Sequence, residues 1–417
     1  MTADTPRLEL AAPRLTFPRA LTRGAVAKAV TEVAVRPMPV RMRYPDGTVV
    51  GAGGPDSPVL EVVRPRAMFR RLEEHPKIGL GEAYMAGDWR VADGTDLAQA
   101  LMPFAARMGE LVPKPLLSLR GLVDRAIPRT QRNTLEGSRS NISAHYDLSN
   151  DLFAAFLDPS MSYSSALFDP AAPLAGQDLH EAQVRKVEAI LDAADVRDGS
   201  RVLEIGTGWG ELSIRAAARG ATVTSVTLSE EQRDLALERI AAAGYADRVE
   251  VLLQDYRETT GQFDAVVSVE MIEAVGEEYW ETYFRQIDHL LAPGGVVAIQ
   301  AILMEHHRLL ATKGSFGWIQ KYIFPGGLIP SLQAIRDVTR ESTSLRVERV
   351  HAFGPDYAET LRRWRESFNA RWTDIQRFGF DETFRRMWEF YLAYCEAGFA
   401  TGYLDVAQIR FSRREPA

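Results

Sequence analysis

The stretch VLEIGTGWGELSIRAAARG, Val202 to Gly220, sets glycines at positions 206, 208 and 210 between a short apolar run and a helical pattern. Arg201 to Ile205 reads as a buried strand, and Glu211 to Arg219 as a helix with apolar residues at helical spacing. Strand, tight turn and helix make one half of a βαβ unit. Gly206, Gly208 and Gly210 let the backbone approach a ligand where a Cβ would collide, and the helix N-terminus behind them favours acceptor or anionic groups. The spacing is GxGxG, not GxGxxG. A dinucleotide site also asks for an acid at the end of the next strand, but Thr227 stands there, after Thr222 to Val226. A nicotinamide fingerprint fits poorly, and a tight turn without a ligand stays open at this point.

Composition narrows the alternatives. A chain of 417 residues predicts two or three domains, and 46% hydrophobic with 25% charged residues is ordinary for a soluble globular protein. One cysteine, Cys395, excludes a disulfide framework and a Cys-cluster metal site. No signal-peptide order and no membrane-spanning run is present, so the expected location is the cytoplasm. The net charge of −7 argues against a general nucleic-acid binder.

The first ~35 residues, rich in Pro, Ala and Arg, read as a loosely held arm. Val40 to Gly53 alternates around Pro45-Asp46-Gly47 as a hairpin, VLEVVRP suggests a third strand, and AMFRRLEE and DLAQALMPFAARM suggest helices. The expected organisation is a small N-terminal α+β domain over 1–110, a basic Pro-punctuated linker over 111–141 and a larger domain over 142–417. Within the linker, Leu116, Leu119, Leu122, Val123 and Ile127 near Arg120, Arg125 and Arg129 suit an interfacial helix, though a helix docked on the next domain is the favoured reading.

From Leu179 the β/α alternation is regular, with strands at Arg201 to Ile205, Thr222 to Val226, Val249 to Leu253, Phe263 to Val269 and Gly295 to Ile302. Such alternation predicts a mostly parallel sheet covered by helices, with ligands outside the strands' carboxyl ends. Three loops meet that rule: Gly206 to Gly210, Thr227 to Gln232, and Asp255-Tyr256. Each has a bland reading alone; Ser229 followed by Gln232, for one, suits a capping box. Together they outline one mononucleoside-sized site.

At this point the residues resemble the cyclopropane fatty acid synthase family. SAHYDLSNDLFAAFLDPSMSYSSALF, LEIGTGWGEL, VTLSEEQ, QDYRE, SVEMIEAVG, WIQKYIFPGG, FGPDYAETLRRW and FRRMWEFYLAYCEAGF occur in that family's order, and GLGEAYMAGDW extends the likeness into the first domain. The resemblance implies a class I methyltransferase fold: an α/β, Rossmann-like, seven-stranded sheet binding S-adenosylmethionine, with a helical cover over an acyl chain. Carried over by position, it implies cofactor contacts from Tyr163 and Ser164, from Gly206, Gly208 and Gly210, from Thr227, Leu228, Ser229 and Gln232, and from Asp255 and Tyr256. It further implies a bicarbonate acting as base. Glu273, Tyr357 and the main chain of Ile302 match three of that ion's holders; Ser165 and Gln300 stand where the better-known form has Cys and His. Ser and Gln still donate hydrogen bonds to an oxyanion. Cys395 matches a C-terminal cysteine of the family.

The implied chemistry explains these residue types. An isolated alkene is a weak nucleophile, so its partner must be a strongly electrophilic methyl group, aligned and shielded from water. Attack leaves a cation that aromatic faces or carboxylates stabilise; Tyr322, Phe324, Tyr357 and Tyr394 are candidates, with core packing as the alternative for each. Proton loss with ring closure gives a cyclopropane, and loss after a hydride shift gives an exomethylene branch. Glu273 is the expected organiser of the base; Glu270 either shares its pocket or faces away. His145 is either a positioning or a structural residue, and Arg362, Arg363 and Arg365 either face solvent or meet a headgroup. The expected partners are an unsaturated acyl phospholipid, a transiently visited inner membrane face, a reductase saturating a methylene product and a second copy of the chain, with no nucleic acid. A small-molecule N- or O-methyltransferase and a non-catalytic lipid-binding relative are the readings from other classes.

Overall fold

The computed structural model describes residues 19–107 and 149–414. Two compact units are built from interleaved segments. One takes the described part of Met1–Ala126 with Gly314–Ile323 and Arg365–Tyr403; the other takes the described part of Ile127–Lys313 with Phe324–Trp364 and Leu404–Ala417. Each unit therefore draws on segments far apart in the chain. The basic linker, His145 and the start of the SAHYD block lie outside the described residues.

The first unit holds a four-stranded sheet in the order β2-β1-β3-β4, with β1 Arg41–Arg43, β2 Val49–Val50, β3 Val59–Val62 and β4 Trp89–Val91. The β1–β2 hairpin turns at Asp46-Gly47, where Gly47 has φ +85° and the Asp46 carboxylate accepts the Thr48 N–H at 2.9 Å. Of the expected arm, residues 1–18 lie outside the described residues, and the remainder departs from it. Arg19–Val35 is a helix packed on the helix Pro65–Glu74, a tertiary contact that the weakly periodic sequence does not announce. Late helices complete this unit: at Gly81 a Cβ would lie 2.5 Å from the Trp318 ring, so glycine permits the close approach. Beside it Glu82 accepts from Lys321 and from the Tyr322 hydroxyl at 2.7 Å.

The second unit is a seven-stranded sheet in the order β10-β11-β9-β8-β5-β6-β7. Its strands are β5 Arg201–Ile205, β6 Thr222–Thr227, β7 Val249–Leu253, β8 Phe263–Val269, β9 Leu291–Met304, β10 Leu345–Ala352 and β11 Leu404–Arg413. β7, β6, β5, β8 and β9 run parallel, while β11 is antiparallel to β9 and β10. The period of two sends alternate side chains to opposite faces. Val202 and Ala298 pack with Val187, Leu212 and Ile240 on one face; Leu203, Ile205, Val297 and Ile299 pack with Tyr283, Phe284 and Ile287 on the other. Helices on both faces force every loop that can reach a ligand to the sheet ends. The connectivity reverses at β5, between β8 and β6, so the carboxyl end of β5 opens a crevice.

Candidate active site

A cavity occupies that crevice, lined from the ends of β5, β6, β7 and β8. The turn after β5 is glycine-dependent through its backbone, with φ of +95°, +52° and +89° at Gly206, Gly208 and Gly210. Their roles differ. A Cβ on Gly208 would meet no atom of the described residues within 4 Å, which leaves room for a ligand; a Cβ on Gly210 would lie 3.2 Å from Ala236, so Gly210 serves helix packing. Tyr163, Ser164, Gly206, Gly208, Thr227, Leu228, Gln232, Asp255 and Tyr256 line the cavity, whereas Gly210 and Ser229 do not. Ser229 caps the helix Glu230–Ala242, its Oγ accepting the Gln232 N–H at 3.2 Å. The Gln232 side chain accepts from Thr227 Oγ1 at 3.1 Å, which ties the two lining residues together. The Asp255 carboxylate is held by Arg257 at 2.7 and 2.8 Å.

Sequence reading missed the polar floor of this cavity. Glu204, next to the last residue of β5, accepts from Ser213 Oγ at 2.5 Å and Ser225 Oγ at 2.7 Å, and burial pushes its carboxyl up to about 7. Lys186 reaches in from the helix Leu179–Ala193, donates to Ser164 Oγ at 2.8 Å, and is pushed down to about 8 by burial against the pull of Glu270 and other carboxylates. Tyr163 is braced by Trp364 at 5.3 Å and Phe153 at 5.1 Å between ring centres. For Glu204 the available signal was a charged residue inside an otherwise apolar strand; for Lys186 it was a charge one turn from Ala182 and Ile190 on the helix face that the core buries.

A second polar cluster sits at the ends of β8 and β9, and its geometry corrects an expectation. The partners expected around Glu273 converge on Glu270. Ser165 N–H (2.9 Å) and Gln300 Nε2 (2.8 Å) donate to Glu270 Oε1, and the Tyr357 hydroxyl (2.7 Å) donates to Oε2. Ser165 contributes its main chain; its Oγ donates to the Ala166 carbonyl at 2.9 Å. Gln300 is oriented by Gln408, which donates to its amide oxygen at 3.2 Å and to the Lys186 carbonyl at 3.0 Å. Glu273 instead accepts the Ile302 N–H at 2.5 Å, and its other oxygen is buried with no hydrogen-bond partner among the described residues. Past Val269, β8 has ended and Glu273 replaces the next rung of the β8–β9 ladder. Burial and the neighbouring Glu270 charge push the Glu273 carboxyl up to about 8. Burial also raises Glu270, against its three donors and Lys186.

None of Ser165, Glu273, Gln300, Ile302 and Tyr357 lines the cavity; Glu270 does. Cys395 belongs to the first unit, on the helix Glu382–Ala400, where burial pushes its thiol up to about 12 and keeps it protonated. Tyr322 and Tyr394 also belong to that unit, as does Arg365, which forms a buried ion pair with Glu396 at 2.9 Å. Arg362 and Arg363 both pair with Glu359 at 2.7 Å.

The family model for mycolic acid cyclopropane synthetase matches residues 133–409. The chain belongs to this family. It is 51% identical, over 100% of its length and 99% of the relative's, to the tuberculostearic acid methyltransferase UfaA1 of Mycobacterium tuberculosis. It is 35% identical to the cyclopropane-fatty-acyl-phospholipid synthase of Escherichia coli, over 83% of this chain and 85% of that one. Among solved structures, the mycolic acid cyclopropane synthase CmaA1 complexed with SAH and CTAB superposes with a TM-score of 0.60 at 29% identity, covering 66% of this chain and 97% of that one. The fold is that of a class I methyltransferase, and the chain is an S-adenosylmethionine-dependent methyltransferase of a family that modifies unsaturated fatty acids. The open space above Gly208, on a cavity wall shared with Thr227 and Asp255, fits that cofactor. No described helix is long and apolar enough to cross a membrane.

Proposed function

We propose that the enzyme methylates the double bond of an unsaturated acyl chain in a membrane phospholipid and releases a methylene-branched chain, which a partner reductase saturates to a methyl branch. The observation that carries this reading is a buried carboxylate, Glu270, reaching the Gly-loop cavity from a hydrogen-bonded polar cluster. Likeness to a tuberculostearic acid methyltransferase over the whole chain, at 51% against 35% for the phospholipid cyclopropane synthase, favours the branched product.

Bound S-adenosylmethionine supplies an electrophilic methyl group. The β5 turn leaves room at Gly208 without side-chain bulk, and the loops after β6 and β7 line the same cavity on the side of the adenosyl part. The buried Glu204 and Lys186 supply fixed dipoles and charge beneath the ligand, so little reorganisation is needed as charge moves. The cluster at the ends of β8 and β9 removes the final proton. An apolar chain displaces water and protects the cation formed on it from hydrolysis.

This reading places the enzyme in the cytoplasm, visiting the inner membrane face. Purified enzyme, S-adenosylmethionine and vesicles of an unsaturated phosphatidylglycerol should yield a methylene-branched product by mass spectrometry. Ozonolysis separates the outcomes: an exomethylene chain is cleaved and a cyclopropane is not. A cyclopropane product overturns the branching part, and equal turnover of a soluble acyl thioester overturns the phospholipid part.

A further inference from the structure

Glu270 is constrained through both backbone and side chain. It is a non-glycine residue at φ +49°, a conformation that L side chains rarely adopt. Its N–H continues the β8–β9 ladder by donating to the Gln300 carbonyl at 2.8 Å, and the left-handed turn that follows aims the carboxylate into Ser165, Gln300 and Tyr357. Such a turn persists only where its surroundings enforce it.

Resemblance to cyclopropane synthases implies a bicarbonate among Ser165, Glu273, Gln300, Ile302 and Tyr357. These residues do not fit one here. The Ser165 N–H, Gln300 amide and Tyr357 hydroxyl are directed at Glu270, the Ile302 N–H at Glu273, and the Ser165 hydroxyl at Ala166. An added anion would face two carboxylates rather than donors. We propose that Glu270 is the catalytic base, an internal carboxylate standing in for bicarbonate, so that the reaction needs no exogenous anion.

This proposal rests on the reading that the enzyme methylates an acyl double bond. The alkene electron pair forms the new C–C bond as the sulfur–methyl bond breaks, leaving a neutral thioether and a chain cation. After a hydride shift along the chain, the C–H pair of the transferred methyl group becomes the exomethylene π bond. Its proton passes to a Glu270 oxygen and then to solvent. No oxidant or reductant takes part. Lys186, beneath the cavity, supplies countercharge to Glu270 in the resting state.

Two variants test the assignment. E270G removes the carboxylate, relieves the left-handed strain and leaves three donors open; E270Q fills the space without a base. Calorimetry with formate should show binding to E270G and none to wild type, independently of turnover. Both variants should keep S-adenosylmethionine affinity while turnover falls about 100-fold or more. Formate or bicarbonate should restore E270G by about tenfold or more and leave E270Q unchanged, while wild type ignores removal of bicarbonate. Failure of folded E270G to bind formate overturns the proposal, as does wild-type turnover that falls when bicarbonate is stripped, or E270Q within about tenfold of wild type. A wild type that binds S-adenosylmethionine but methylates no lipid overturns the functional reading instead, because formate binding is scored without substrate.

Discussion

The carboxyl ends of β5 to β7 and those of β8 and β9 belong to one sheet but are built on different principles. The first relies on backbone: positive φ at successive glycines, helix N-termini and a serine cap. The second relies on side chains drawn from positions 165, 270, 273, 300 and 357, joined only by the fold. A backbone-built site binds by leaving room, and a side-chain-built site reacts by placing charge. The two should therefore fail differently when altered.

The largest effect belongs to the first region. Gly208→Val puts a β-branched side chain at φ +52° and into the space left for the cofactor. S-adenosylmethionine affinity should fall by at least about 100-fold in a calorimetric titration, roughly 3 kcal/mol, with the circular dichroism of the fold retained. Unchanged affinity would remove this turn from the binding site and break the comparison.

Next comes a change confined to the second region. Tyr357→Phe deletes one donor to Glu270 and leaves the cavity lining untouched. A hydrogen bond to a charged group contributes about 1.5–3 kcal/mol, so kcat should fall by roughly 10- to 100-fold. Affinity for S-adenosylmethionine should stay within about threefold of wild type. Equal losses in kcat and cofactor affinity would mean that the two regions act as one.

The same contrast explains what was legible in the sequence. β5, β7 and β8 match their expected bounds, because buried parallel strands are continuous apolar runs. The Gly turn was legible because its conformation requires glycine. β10 was not read locally: Arg346, Glu348, Arg349 and His351 crowd an edge strand and blur its alternation. In the second region, resemblance brought Ser165, Gln300 and Tyr357 together, but not the carboxylate at their centre. Whether residue 270 or 273 faces them depends on one left-handed residue after β8. Nothing in the local pattern SVEMIEAVG encodes that turn, since glutamate gives no cue for positive φ. The helix at Arg19–Val35 was missed for the same kind of reason, its order coming from a distant partner helix.

A third prediction separates Glu273 from Glu270 through stability. The Glu273 carboxyl rises from the usual 4.5 to about 8 on folding, from burial and the Glu270 charge. Between those values the native state holds a proton that the unfolded chain has released, so stability drops as pH rises from about 4.5 through 8. Glu273→Gln removes this term, so its Tm relative to wild type should climb steadily over that window and level off above it. Parallel Tm curves at all pH values would show that the two carboxylates do not compete for charge. Turnover should fall less than in E270Q.

The smallest effect tests the boundary of the backbone-built region. Ser229 was expected among the cofactor contacts, yet its hydroxyl accepts the Gln232 N–H, donates to Glu231 at 3.2 Å and stays off the cavity wall. Ser229→Ala should cost about 1 kcal/mol of stability through the lost cap, read as a small fall in Tm or denaturant midpoint. Cofactor affinity should change by less than about threefold, because Thr227 and Gln232 keep their mutual hydrogen bond and line the cavity themselves. A tenfold loss of affinity with unchanged stability would reverse the assignment. It would return Ser229 to the ligand and show that this loop, too, binds through side chains rather than through the backbone they brace.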